Sequence, residues 1–375
     1  MSDLARSFVA SKLASLPPEP PLPEDKEERE DDSSSASSMS STGTVIPSGS
    51  LKPAAPIQWS DFFAQELYLE LEKDGEVAKF HVYHTPSTDP RAPLVVLHHG
   101  AGSSALSFAL FTLELQRLLP KAGILAVEAR EHGSVVHDAS GAVQKDLSIQ
   151  TLSDDLVEMI QLTQARLNWP TLPEIWLVGH SLGGAVVTHT AKTGQLGNKL
   201  MGYAVLDVVE GSAMETIKHM QSYLSSRPSI FPTISSAVDW HIRSRTLRNP
   251  ESARVSVPSL LMQTSTGRWT WRTDLTGTQT YWENWFVGMS RKFLSARGAK
   301  LLLLAGTDRL DKELMIGQMQ GKFQLQVFPA AGHFIQEDLP EKTAEVIVEF
   351  IKRNDRSTLV LPPKVSDLLA QGKKV

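Results

Sequence analysis

The run Gly179-His180-Ser181-Leu182-Gly183 constrains this chain more than any other stretch. The apolar segment Ile175-Trp176-Leu177-Val178 precedes it, and Gly184-Ala185-Val186-Val187 follows. An apolar run, G-x-S-x-G and a second apolar run give the order of a strand, a sharp turn and a helix. Glycines flanking the serine permit tight backbone there and close approach of neighbouring elements. The serine is expected on an exposed turn at a helix N-terminus, where free N–H groups and positive partial charge favour an anion. Ser181 is therefore the candidate nucleophile. A plain Ser/Gly turn is the competing reading, and the flanking strand and helix weigh against it.

A serine hydroxyl needs a base to take its proton. Of the eleven histidines, His333 comes late, after the strand-like Phe323-Gln324-Leu325-Gln326-Val327-Phe328. His99 and His132 also lie near expected strand ends, but only His333 follows both the serine and a candidate acid in the order Ser, acid, His. Two carboxylates qualify as the acid. Asp207 ends the strand-like run Tyr203-Ala204-Val205-Leu206, and Asp308 follows Leu301-Leu302-Leu303-Leu304-Ala305-Gly306. Both sit at carboxyl ends of expected strands, where open α/β sheets place their sites. Topology favours Asp308, whose loop neighbours that of the histidine in the chain. An oxyanion hole would draw one backbone N–H from Leu182, after the serine. The other would come from the turn after the expected strand Pro93–Leu97, with Ala101 first and Gly102 second.

Around these motifs, expected strands at 66–71, 78–83, 94–97, 124–127, 175–178, 203–206, 300–304 and 324–328 alternate with expected helices at 105–119, 152–167 and 184–193. A closing helix is expected at 340–352. This alternation predicts an α/β fold with a mostly parallel central sheet flanked by helices. The interval 209–299 breaks the rhythm. Helical patterns at 214–224 and 233–245 are followed by Trp269, Trp271, Tyr281, Trp282 and Trp285. It reads as a helical and aromatic cap inserted after the strand that carries Asp207. The core is then 57–208 together with 300–354. The aromatic residues are expected to form mainly the core of the cap, with some lining the pocket.

With 41% apolar residues, the 375-residue chain can bury a large core. It has no cysteine, so disulfides and thiolate metal sites are excluded. No stretch approaches the roughly 20 apolar residues that a membrane helix needs. Residues 1–60 hold five Lys/Arg against nine Asp/Glu, so four of the five net negative charges fall there. With no long basic run in the remainder, neither nucleic acid nor a membrane is expected as a partner. Residues 1–56, acidic and rich in Pro and Ser, are expected to be a disordered tail, and 355–375 a loose C-terminal tail.

Longer segments carry a more specific signal. Leu206-Asp207-Val208-Val209-Glu210-Gly211-Ser212-Ala213-Met214 and Arg248-Asn249-Pro250-Glu251-Ser252-Ala253-Arg254-Val255-Ser256 resemble segments of the protein phosphatase methylesterases. So do Leu304-Ala305-Gly306-Thr307-Asp308-Arg309-Leu310-Asp311, Ile316-Gly317-Gln318-Met319-Gln320-Gly321-Lys322-Phe323, His99–Ser107 and Arg130-Glu131-His132-Gly133. The resemblance, from about Trp59 to Lys352, implies an α/β-hydrolase fold with Ser181 as nucleophile, Asp207 as acid and His333 as base. It implies demethylation of the C-terminal leucine methyl ester of the protein phosphatase 2A catalytic subunit. It also implies that the cap engages the phosphatase tail and active-site face, and that inactive phosphatase can be held in a complex. No cofactor or metal is expected. In such hydrolases the triad can stay misaligned until substrate binds. One departure stands out: many members carry a long acidic insert after Ser-Ala-Arg-Val-Ser, whereas here Val257-Pro258 leads straight through 259–268 to Trp269.

Two other readings remain open, a hydrolase of small esters or lipids on the same fold and a mainly non-catalytic phosphatase-binding inhibitor. A cytoplasmic location is expected, with the nucleus open as a second compartment. Removal of residues 1–56 is expected to leave hydrolysis of a small chromogenic ester unchanged, measured as kcat/KM beside the full chain.

Overall fold

The computed structural model describes residues 57–306 and 310–355. Alternating residues along the first segment build a hairpin of β1 (Gln65–Lys73) and β2 (Glu76–Thr85) in antiparallel register, Lys73 opposite Glu76. Asp74 and Gly75 turn it with φ of 54° and 82°, the two positive values that a tight hairpin turn requires. Strands β3 (Leu94–His98), β4 (Gly123–Val127) and β6 (Ile175–His180) are buried at every residue. That is why they read as unbroken apolar runs: helices cover both faces.

Between these strands lie α1 (Ala109–Leu118), the short strand β5 (Val135–His137) and α2 (Ile149–Arg166). Ser148 caps α2 by accepting Thr151 N–H, so the helix begins three residues before its expected start. Helix α3 (Leu182–Thr193) follows the serine turn, then β7 (Leu200–Leu206). Next come α4 (Glu210–Ser226), β8 (Ile230–Phe231), α5 (Ile234–Arg243), α6 (Pro250–Ser256), β9 (Leu261–Gln263), β10 (Trp269–Trp271), α7 (Trp282–Phe286) and α8 (Met289–Ser295). The chain closes with β11 (Ala299–Leu304), α9 (Lys312–Met319), β12 (Gln324–Val327), α10 (Ile335–Asp338) and α11 (Pro340–Asn354).

The main sheet has the order β1-β2-β4-β3-β6-β7-β11-β12, with β5 beside β2. It is antiparallel from β1 to β4 and parallel from β4 onward. From β3 the chain first moves to β4 on one side and later returns to β6 on the other. The strand order therefore reverses at β3, and the crevice at the carboxyl ends of β3 and β6 is where such sheets bind ligands. Alternate residues sort to opposite faces. Val96, Leu125, Leu177, Val205 and Leu302 pack with residues of α2, α3 and α8. Val95, Leu97, Ala126, Val178, Leu206 and Leu303 pack with residues of α1 and α11.

The interval after β7 divides. Phe231, Ala237, Leu247, Ala253, Val257 and Leu261 form a separate small core, joined by Trp240, Trp269 and Trp271. A three-stranded sheet, β8-β10-β9, supports it; strands of two or three residues are too short to leave a periodic signal. Trp282, Trp285, Phe286, Met289 and Phe293 instead join the main core, and Trp285 Nε1–H donates to Leu147 O at 2.6 Å. The tryptophan-rich stretch thus serves two cores.

The close approach of α3 to the sheet depends on glycine. A Cβ on Gly183 would lie 2.2 Å from His98 O and 2.6 Å from His99 O. One on Gly179 would lie 2.1 Å from Gly183 O. These are backbone atoms that cannot rotate aside. Gly183→Ala is expected to destabilise the fold by about 3 kcal/mol or more, read from urea unfolding followed by tryptophan fluorescence.

Candidate active site

Ser181 sits between β6 and α3 with φ 51° and ψ −117°. This is a strained conformation for a residue with a side chain, and such strain gathers at functional sites. The turn is held by Ser181 N–H donating to Leu206 O at 3.0 Å and by Gly184 N–H donating to Ser181 O at 2.8 Å. The Leu182 N–H at the start of α3 takes no partner among the described residues. It lies at the positive end of the helix dipole.

Asp207, at the end of β7, has φ 52° and a fully buried side chain. Its Oδ1 accepts Ala305 N–H at 2.8 Å, and its Oδ2 lies 2.8 Å from His333 Nδ1. The His333 ring is 42% exposed, open toward the crevice. The structure therefore brings together Ser181 after β6, Asp207 after β7 and His333 after β12. Asp308 lies outside the described residues. Among the described residues Ser181 Oγ makes no hydrogen bond, so the link between serine and histidine is open while that between histidine and aspartate is formed.

His180 fixes the histidine from the serine side. Its Nε2–H donates to His333 O at 2.9 Å, and the two rings lie 4.7 Å apart. Burial, with His333 nearby, lowers its pKa to about 3, so it is neutral. The opposite side is held by Asp338, whose Oδ2 accepts Gly332 N–H at 2.6 Å and whose Oδ1 accepts Arg248 N–H at 2.8 Å. Arg248 also donates from Nη1 to Ala330 O at 2.6 Å. Glu337 adds a second tie: its carbonyl accepts from Ser252 Oγ at 2.7 Å, and its Oε2 accepts from Ser256 Oγ at 2.5 Å. Helix α6 of the smaller core and the loop bearing His333 therefore share one hydrogen-bonded frame. Sequence reasoning placed none of these supports. Their signals in the sequence are the acidic pair Glu337-Asp338 shortly after the histidine and the segment Arg248–Ser256, neither of which states a role by its spacing.

The turn after β3 lies against the serine: a Cβ on Gly100 would come within 3.1 Å of Ser181 Cβ. Ala101 N–H takes no partner among the described residues. Gly102 N–H, expected as the second choice of donor, is already occupied by His132 Nε2 at 2.8 Å. It is therefore withdrawn from that role. Among the described residues no cluster of three or more His, Asp or Glu is arranged to hold a metal. Among the described residues no helix is long and apolar enough to cross a membrane.

Solved structures with this architecture include an E-2-(acetamidomethylene)succinate hydrolase, with a TM-score of 0.58 over 77% of this chain and 100% of its own. A marine microorganism esterase reaches 0.53 over 72% and 98%. Each is 18% identical, a likeness of fold alone. Residues 95–346 match the alpha/beta hydrolase family. Protein phosphatase methylesterase 1 of Aspergillus fumigatus is 58% identical over 394 aligned positions, spanning 99% of this chain and 94% of that protein. The chain belongs to the protein phosphatase methylesterase family. The protein of the same name in Schizosaccharomyces pombe is 44% identical across 82% of this chain and 87% of its own. The segment Arg248–Ser256, which carried part of the resemblance to the methylesterases, supplies Arg248, Ser252 and Ser256 to the frame around His333.

That frame has a pH signature. Burial pushes the Glu337 carboxyl well above the usual range; the bond from Ser256 opposes this and the neighbouring Asp338 adds to it. The folded chain thus keeps a proton that the unfolded chain has already lost. Stability from this group is present at low pH and is lost as pH rises between the unfolded and folded values. Glu337→Gln keeps an acceptor for Ser256 and removes the titration. Thermal unfolding followed as pH rises from the ordinary carboxylate value of 4.5 is expected to show a smaller fall in melting temperature for the variant than for the parent chain. An equal or larger fall in the variant would contradict the assignment.

Proposed function

We propose that this chain is a serine carboxylesterase that removes the methyl ester from the C-terminal leucine of the protein phosphatase 2A catalytic subunit, releasing methanol. The observation that carries the reading is the convergence of Ser181, Asp207 and His333 at three neighbouring loops, in a chain so close to named methylesterases. His333 takes the Ser181 proton as Oγ attacks the ester carbonyl. Asp207 holds the imidazole through Nδ1 and stabilises the imidazolium. The N–H groups of Leu182 and Ala101 receive the oxyanion. Methanol leaves with the proton from His333, and water then opens the acyl-enzyme with His333 again as base. This route needs neither metal nor organic cofactor.

Because the link between Ser181 and His333 is open, binding must close it. A large protein substrate can supply that alignment from remote contacts. The smaller core that shares its frame with the His333 loop is suited to receive the phosphatase tail and active-site face. The same contacts would let the enzyme retain inactive phosphatase. A cytoplasmic location, with the nucleus as a second compartment, fits this partner.

The test is incubation with the methylated phosphatase catalytic subunit, following the carboxymethyl group. Ser181→Ala is expected to abolish release, by as much as about a million-fold, while still binding the phosphatase. Asp207→Asn is expected to lose about ten-thousand-fold. Small chromogenic esters should turn over slowly and short methylated peptides poorly. A methylated peptide of a few residues that matched the whole phosphatase in kcat/KM would overturn the protein-surface reading and favour a small-ester hydrolase.

A further inference from the structure

We propose that His132 is the positioning residue of the oxyanion-binding turn: its Nε2 holds the Gly102 amide and leaves Ala101 N–H as the free donor beside Ser181. The inference rests on the serine mechanism above and adds to it a residue outside the triad.

The argument starts from the two peptide planes that flank Ala101. In the first, Gly100 C=O accepts Ser103 N–H at 3.1 Å and lies 2.8 Å from His99 Nδ1. A trans peptide points its N–H opposite to its carbonyl. Ala101 N–H is therefore turned away from those partners. In the second plane, Gly102 N–H donates to His132 Nε2 at 2.8 Å. With both planes held, Ala101 has no freedom to rotate its amide. Gly102 itself has φ 69°, and a Cβ there would meet Leu275 Cδ1 at 2.6 Å. The turn is confined on that side by Leu275 and on the other by the imidazole.

The imidazole is equally fixed. Its Nδ1 lies 2.9 Å from Arg130 O, which can only accept, so the proton is on Nδ1 and the lone pair is on Nε2. Burial first, then the neighbouring His99, lower its pKa to about 4, which keeps Nε2 an acceptor near neutral pH. His132 stands on a tight turn in which Ala129 O accepts the N–H groups of His132, Gly133 and Ser134. Thr273 Oγ1 donates to Glu131 O at 3.0 Å and ties that turn down from the other side. A ring held this rigidly sets the position of what it holds. An oxyanion donor displaced by about 1 Å costs on the order of a hundredfold in rate.

Two substitutions separate the two ring nitrogens. His132→Asn places a donor near Nδ1 for Arg130 O but leaves Gly102 N–H without an acceptor. His132→Gln can place its carbonyl oxygen near Nε2 and keep that acceptor. On a chromogenic ester, His132→Asn is expected to lower kcat about a hundredfold with KM little changed, and His132→Gln to recover most of kcat. Phenylboronic acid, which adds to a serine as a tetrahedral anion, should lose affinity in the Asn variant and keep it in the Gln variant. The proposal fails if the Asn variant retains the parent kcat. It also fails if both variants lose kcat together with melting temperature, as a purely structural residue would. A parent enzyme that phenylboronic acid does not inhibit, and whose Ser181→Ala variant stays active, would instead overturn the serine mechanism, and this inference with it.

Discussion

The structure depends on one close contact, the backbone of α3 against the ends of β3 and β6 with no side chain between them. Gly183 lies so near the carbonyls of His98 and His99 that even a methyl group is excluded. That proximity places the N-terminus of α3 beside the turn after β3. Among the described residues the amides of Leu182, next to the serine, and of Ala101, in the turn whose Gly100 lies against it, take no partner. A helix packed at ordinary side-chain distance would put these groups too far apart to share one oxygen. The exposed position of Ser181 and its unusual backbone angles follow from the same contact.

The acid and base are arranged on a different principle. Asp207 is fully buried, yet it is satisfied by a backbone amide of the neighbouring strand and by His333. His333 itself is held through backbone groups on either side, by His180 at its own carbonyl and by Asp338 at the preceding amide. Its ring remains open to the crevice. The support reaches into the smaller core through Arg248, Ser252 and Ser256. The position of the histidine and that of the smaller core are thereby parts of one hydrogen-bonded unit.

Much of this was legible in the sequence, for identifiable reasons. Strands β3, β4, β6 and β7 are buried on both faces and so appear as continuous apolar runs bounded by turn residues. Ser181 was visible because its turn needs glycine at fixed offsets. His333 and the two candidate acids were visible because the functional loops follow strand ends. The choice between the acids was not visible in periodicity, since Asp207 and Asp308 stand in similar local patterns; it came from the resemblance. The small sheet β8-β10-β9 was hidden because its strands are two or three residues long. The division of tryptophans between two cores was hidden because an aromatic residue does not reveal its partner. Asp338 accepts the nearby Gly332 amide and the distant Arg248 amide, and His132 the distant Gly102 amide; no periodicity marks such bonds.

Two residues with side chains, Ser181 and Asp207, adopt positive φ at the ends of adjacent strands. Each such conformation costs on the order of 1–3 kcal/mol. Asp207 recovers part of this through its hydrogen bonds, whereas Ser181 Oγ has no such bond among the described residues. Glycine at 181 would relax the backbone and sacrifice little native bonding. At this position stability and turnover therefore pull in opposite directions, and a search for thermostable variants that ignored turnover would be free to lose the nucleophile.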